Sequence, residues 1–283
     1  MNGGRPHLVT VGDNCLDVYL NKAALTVGGC ALNVAAYWRR AGQSARYFGA
    51  VGDDAEAAIL LDAIEKAGLA PHDVERRPGP TAVTLLREQD GDRIFLLEDL
   101  GVGKDYMPAA EIYRTVVQAD WVHLGLASNP DLVRRLVAER VPFSVDLSTA
   151  HDSLPLDGVP LVFASGPEES DSAVAPLAER LAGAGAREVV VTCGRRGAFY
   201  RTADGELLHA PAEPVTVVDT CGAGDAFIAS FLVGHAGNRP APESLRAAAL
   251  AGSQACLHVG AFPQERRPVP DWLLKKYAAV IGT

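Results

Sequence analysis

The chain has no surplus of positive charge: 26 Lys and Arg stand against 35 Asp and Glu, a formal net charge of −9. A nucleic-acid backbone needs a basic surface, so no nucleic-acid partner is expected. Small phosphorylated ligands remain open, since they need only local donors. Cysteine is sparse. Its five copies, at 15, 30, 193, 221 and 256, are dispersed and form no C-x-x-C pair. That argues against a disulfide framework or a zinc site and for reduced thiols in a cytoplasm. No stretch reaches the ~18 uninterrupted apolar residues of a membrane span, so no membrane partner is expected. The first residues lack the basic-then-apolar pattern of a signal peptide, and a cytoplasmic location is expected. The seven histidines show no H-E-x-x-H spacing, which disfavours a zinc hydrolase. No G-x-G-x-x-G follows the first apolar run and no G-x-x-x-x-G-K-[ST] occurs, which disfavours a dinucleotide oxidoreductase. There is no internal repeat and no low-complexity linker.

What is present is ordinary for a globular protein. The 283 residues are 48% hydrophobic and 22% charged, enough for one large α/β domain, with room for a small appendage. Short apolar runs at 8–11, 45–51, 121–124, 142–145, 161–164 and 188–192 read as strands. Helical patterns at 30–41, 55–67, 130–139 and 174–182 alternate with them, and this alternation predicts a parallel sheet. Helices are also expected at 107–118, 223–236, 242–257 and from about 271. The stretch 81–98 breaks the rhythm: two strands flank the turn Gln89-Asp90-Gly91-Asp92. Such a hairpin cannot easily join a parallel sheet, so it is expected to project as a flap that pairs with 16–27.

The central stretch is Asp219-Thr220-Cys221-Gly222-Ala223-Gly224-Asp225. It follows the apolar run 215–218 and opens a helix carrying Phe227, Ile228, Phe231 and Leu232 at helical spacing. A strand-to-helix turn with two glycines offers free N–H groups to an anion. A carboxylate beside that anion needs a task, and taking a proton from an attacking hydroxyl is one. An acidic residue at a helix start is the plainer alternative. Polar clusters at 12–17, 146–148, 165–169, 192–197 and 219–225 each follow an apolar run. In a parallel sheet those ends converge on one edge, where open α/β sheets bind ligands. The convergence favours the anion site.

These motifs together resemble the PfkB/ribokinase family of sugar kinases. Asp219 to Asp225 matches the family's D-T-x-G-A-G-D signature. Gly28-Gly29 with Asn33 matches G-G-x-x-x-N, and Thr192-Cys193-Gly194-Arg195-Arg196-Gly197 matches T-x-G-x-x-G. Gly12 to Asp17 matches the sugar-binding end of the first strand. Order and spacing agree over essentially the whole chain. Within the family, Gly12 to Asp17, Phe163-Ala164-Ser165 and Pro214 to Asp219 look most like the bacterial fructoselysine 6-kinases.

The resemblance implies a ribokinase-like α/β fold with a central, mostly parallel sheet flanked by helices and a small β lid. Residues 1–15, 28–79 and 100–283 would form the α/β domain, and 16–27 with 80–99 the lid. It implies ATP-dependent phosphorylation of a primary hydroxyl, the 6-OH of a fructosamine such as fructoselysine. Asp225 would be the base, and Gly222, Ala223 and Gly224 the anion hole. Asp13, Asp17, Gly29 and Asn33 would hold the sugar; Thr192, Gly194 and Gly197 would line the nucleotide site. Mg²⁺ would bridge the ATP phosphates, ordered through water by Glu168 or Glu169.

The chain departs from the family at Ser165, where an Asn is usual, and at Asp146-Leu147-Ser148, where an Asn is also usual. A sugar or sugar-amine substrate is thus the expected partner, and a homodimer through the lid would cover its exposed strands. A lysine-bearing substrate would call for an acidic residue such as Asp13, Glu98 or Asp99. Arg93 and Glu98 could meet its far end or simply be lid surface charge. Cys221 reads as a small filler, Tyr37 and Trp38 as core, Arg195 and Arg196 as surface or phosphate contacts, and His258 as a border of the adenine pocket. The alternatives are another kinase of this family, acting on ribose, fructose, 2-keto-3-deoxygluconate or a nucleoside, and a non-catalytic sugar or nucleotide sensor. The sensor would have no use for Asp225.

Overall fold

A computed structural model describes residues 6–89, 92–169 and 174–282. The tip of the expected hairpin, Asp90 and Gly91, and the side chain of Arg93 lie outside the described residues. In chain order the strands and helices run β1 (His7–Val11), β2 (Cys15–Tyr19), β3 (Ala24–Gly28), α1 (Cys30–Arg40), β4 (Ser44–Val51), α2 (Ala55–Lys66), β5 (Val74–Arg76), β6 (Val83–Gln89) and β7 (Asp92–Asp99). Then come α3 (Ala110–Val116), β8 (Trp121–Leu124), α4 (Pro130–Ala138), β9 (Phe143–Asp146), β10 (Leu161–Ser165), α5 (Ala175–Gly183) and β11 (Glu188–Thr192). The chain continues with β12 (Ala198–Arg201), β13 (Leu207–Ala210), α6 (Ala223–Ala236), α7 (Ala241–Ala255), β14 (Arg267–Pro268), α8 (Asp271–Lys276) and α9 (Ala278–Ile281).

The described strands make a nine-stranded sheet in the order β13-β12-β11-β10-β9-β8-β1-β4-β5. Neighbours from β5 to β11 pair in parallel, and β12 and β13 close one edge antiparallel. After β1 the chain moves outward to β4 and β5, then returns to the other side of β1 for β8 to β11. The order therefore reverses at β1, and a crevice opens beyond its carboxyl end. The central strands are apolar on both faces, as a sheet covered by helices on both sides requires; Val9, Val122, Phe143, Val162 and Val190 are all buried.

The helices follow from local signals. Asp54 caps α2 through the Ala57 N–H at 3.1 Å, and Ala57, Leu60 and Ile64 form its buried face. Asn129 caps α4, with Pro130 at its first position. Helix α6 is apolar nearly all round and sits in the interior. Phe227, Ile228, Phe231 and Leu232 pack with Leu8, Trp38, Phe163 and Val190, and the Phe231 ring meets Phe163 edge-on at 5.7 Å. Trp38 also donates to the Ala229 carbonyl at 2.9 Å, locking α1 to α6. Both Trp38 and the smaller Cys221 are buried, while Tyr37 is half-buried and donates to the Ala261 carbonyl.

A second sheet of five strands has the order β14-β3-β2-β6-β7. The hairpin arms pair with each other, and β6 runs parallel to β2. The tail adds an element that its sequence did not signal: Arg267 and Pro268 pair with β3, and Arg87 donates to the Ile281 carbonyl. A two-residue strand carries too little periodicity to be read from sequence.

One expectation needs correcting. Residues 215–218, expected to be a strand leading into the glycine turn, form no strand. Val217 and Val218 are 44% and 46% exposed, and the Val218 N–H donates to the Cys256 carbonyl. The run is held by the end of α7 rather than by a sheet neighbour, because the edge beyond β11 is already taken by β12 and β13. So 219–225 follows an irregular segment, while the other four polar clusters do end strands of the main sheet.

Candidate active site

The site is built around α6 and α1. Gly222 precedes α6 with φ +73°, and a Cβ there would overlap the Ala261 carbonyl oxygen, so only glycine makes this turn. No side chain among the described residues caps the helix. The Ala223 N–H donates to the Thr220 carbonyl at 3.3 Å, and a Cβ added at Gly224 would meet nothing within 4 Å beyond the helix's own backbone. Asp219 holds the turn from behind: its carboxylate accepts from the Cys221 N–H, the Gly260 N–H and the Tyr19 hydroxyl at 2.9, 3.0 and 3.0 Å.

Asp225 lies in the first turn of α6 and is buried. The Asn33 side-chain N–H, from α1, donates to it at 2.7 Å, and the Cys30 thiol donates as well. Burial is the chief cause of a carboxyl pushed up to about 7; the charges of Asp146 and Asp13 add to it, and the two donors oppose it. A carboxylate poised near neutrality is far better suited to take a proton than one in the ordinary range.

Asp13 stands at the reversal point of the sheet order, just past β1. Its carboxylate accepts from the Cys30 and Ala31 N–H groups at 2.6 and 3.1 Å, so it caps α1 from a distance. Burial still raises its pKa. Sequence reasoning missed Gly125, which follows β8: a Cβ there would clash with the Asp13 carboxylate. Gly29 precedes α1 with φ +107° and lies hard against the Asn14 backbone. Asn33 is buried, and its side-chain oxygen has no hydrogen-bond partner among the described residues. A hydroxyl of a bound ligand would satisfy it. Asp17, on β2, is buried and accepts from the Cys15 thiol at 3.2 Å. The sequence thus brings Asp13, Gly29, Asn33, Asp225 and the glycine turn together, with Asp17 on the adjoining sheet.

The expected nucleotide loop lies at the end of β11. Gly194 and Gly197 both take positive φ, at 50° and 84°. Thr192 is half-buried. Arg195 is exposed, whereas Arg196 donates to the Pro167 and Glu169 carbonyls at 3.2 and 3.0 Å, tying this loop to the one after β10. A Cβ at Gly194 would lie 2.5 Å from the Glu168 carboxyl carbon, so Glu168 faces this loop; both Glu168 and Glu169 are exposed. His258 is half-buried, and its Nδ1 has no partner among the described residues. Glu98 is exposed on β7, and Asp99 caps the Gly101 N–H.

Asp146 was read from the sequence as part of the polar cluster 146–148 and as a departure from the usual Asn, and was given no role of its own. It ends β9, accepts from the Ser148 N–H at 2.8 Å, and burial pushes it up to about 6. The carboxylates of Asp146 and Asp225 and the Cys30 thiol lie within 4.8 Å of one another. The signal was there: a carboxylate at the carboxyl end of a central strand, within one of the converging polar clusters.

Known proteins are similar to this chain in sequence and in fold. The profile of the pfkB family carbohydrate kinases matches residues 8–134 and 160–266. A fructoselysine 6-kinase of Escherichia coli K12 is 34% identical over 263 residues, covering 90% of this chain and 99% of the relative. A fructosamine kinase of Bacillus subtilis, FrlD, is 32% identical over 263 residues, covering 90% and 92%. Arabidopsis thaliana ribokinase complexed with ribose and ATP superposes with a TM-score of 0.80 at 22% identity, covering 91% of this chain and 95% of that one. The fold is ribokinase-like, and the protein is an ATP-dependent carbohydrate kinase, a phosphotransferase to an alcohol group. The chain belongs to the pfkB family.

Proposed function

We propose that the enzyme phosphorylates the 6-hydroxyl of a fructosamine such as fructoselysine, with Asp225 as the base. The substrate rests on the two curated relatives, a fructoselysine 6-kinase and a fructosamine kinase, at 32–34% identity over 90% of the chain. The base rests on one observation: Asp225 is a buried carboxyl raised to about 7, beside an uncapped helix N-terminus.

In this reading Asn33 orients Asp225, and its orphaned oxygen accepts from a sugar hydroxyl. Asp13, Asp17 and Gly29 border the sugar. Asp225 takes the proton of the primary hydroxyl as its oxygen bonds to the γ-phosphorus and the bond to the ADP oxygen breaks. The N–H groups of Gly222, Ala223 and Gly224 meet the charge on the transferred phosphoryl group. No covalent intermediate forms; alignment and electrostatics do the work. Thr192, Gly194 and Gly197 line the nucleotide. Glu168, a hard oxygen donor facing the Gly194 turn, fits Mg²⁺ held through water better than the thiol-bearing group around Cys30 does; when bound, the ion would neutralise phosphate charge.

The second sheet, which includes β2, β3, β6 and β7, acts as a lid that keeps water from competing as acceptor. Two such lids pair in a homodimer, an arrangement that sedimentation at micromolar concentration reads directly. The five cysteines are thiols rather than disulfides, which suits a reducing cytoplasm.

The test is a coupled ADP-release assay over fructoselysine, fructose, ribose, 2-keto-3-deoxygluconate and adenosine. Fructoselysine is expected to give the highest kcat/KM. Turnover of another sugar with none on fructoselysine would refute the substrate while leaving the kinase intact.

A further inference from the structure

Around Asp225 the structure gathers acidic groups. Asp13 faces it from the turn after β1, Cys30 and Tyr37 from α1, and Asp146 from the end of β9. Asp146 stands out among them. Asp13 has its two oxygens engaged by α1, and Cys30 is a thiol whose burial pushes its pKa far up, so it stays neutral. Asp146 is held in place by the Ser148 N–H and by strand pairing opposite Phe163, with the rest of its carboxylate turned to the cluster. Its position is rigid, since β9 lies between β8 and β10 in the middle of the sheet.

We propose that Asp146 is a positioning residue for the phosphoryl-transfer step: a fixed negative charge at the end of β9 that keeps Asp225 basic enough to take the hydroxyl proton near neutral pH. This rests on Asp225 being the base. A carboxylate within a few ångströms of another disfavours ionisation of the second. The Asp146 and Asp225 carboxylates approach within 4.8 Å, and the charge of Asp146 is one of the causes that raise the Asp225 pKa. An asparagine in its place would keep the shape and the Ser148 bond but remove the charge. Asp225 would then hold its proton less tightly and be a weaker base.

The experiment is the pH profile of kcat/KM for the whole enzyme, its Asp146→Asn variant and its Asp146→Glu variant. The acidic limb of Asp146→Asn is expected to move down by about 1 pH unit, the scale that a near like charge imposes, with a lower plateau rate. Asp146→Glu, which keeps a charge there, is expected to hold the limb near that of the parent. Carbon-13 titration of the aspartate carboxyls reads the same Asp225 midpoint without turnover, which covers a variant too slow to assay. An unmoved limb and midpoint in Asp146→Asn would overturn the role of Asp146. The base itself is judged separately by Asp225→Asn: loss of turnover there with an unmoved limb here refutes only this inference.

Discussion

At the scale of single residues, function sits in how a few polar groups are buried. Asn33 and Asp225 are far apart in the chain, and a 2.7 Å bond joins them only because Trp38 and Phe231 lock α1 against α6. A donor to a carboxylate stabilises its charged form, at about 1.5–3 kcal/mol for such a bond. Asn33→Ala removes it, so the acidic limb of the pH–rate profile is expected to move to higher pH, with KM for the sugar rising as the orphaned acceptor is lost. An unchanged profile would show that Asn33 does not act on Asp225. The raised Asp225 pKa also has a cost in stability. The folded state holds that proton more tightly than the unfolded chain does, so this contribution to stability falls as pH rises from about 4 through about 7. Motifs made the residues Asp225 and Asn33 legible in sequence. For Asp146 only its place in a converging polar cluster was legible; its closeness to Cys30 and Asp225 was not, because only the folded sheet brings them together. Gly125 was invisible for the same reason: its task is to leave room for the Asp13 carboxylate.

At the scale of elements, the start of α6 does most to shape the site. Gly222 and Gly224 look alike in sequence but differ in the fold. A Cβ at Gly222 would meet the Ala261 carbonyl and force a non-glycine residue into positive φ, at a cost of about 1–3 kcal/mol. At Gly224 a Cβ meets nothing within 4 Å. Gly222→Ala is therefore expected to lower both the melting temperature and kcat. Gly224→Ala is expected to leave the melting temperature unchanged and lower kcat alone, by about 10-fold or more, because the added methyl stands where the phosphoryl group would come. A full-rate Gly224→Ala enzyme would remove the anion hole from this turn. Element boundaries in the main sheet were readable because its strands are continuous apolar runs between helices. The run 215–218 was misread on that same signal: three valines and a threonine mark a strand only where a sheet neighbour is at hand, and here β12 and β13 lie beside β11 instead.

At the scale of the molecule, the reversal of strand order at β1 decides where everything meets. It sets Asp13 beside the start of α1, and the helix pair α1–α6 then carries Asn33 and Asp225 to one place. The hairpin, which breaks the α/β rhythm, belongs to the second sheet; that much was legible, whereas the contribution of the tail through β14 was not. Nor does any short string state which hydroxyl is activated, since that depends on the shape enclosed between the two sheets. The account as a whole depends on one proton transfer. Asp225→Asn keeps the side-chain shape and removes the base. It is expected to lower kcat by about 10³-fold or more, within the range of a lost general base and its coupled alignment, while ATP still binds with the Kd of the parent enzyme. Turnover near the parental rate in Asp225→Asn would contradict the account directly.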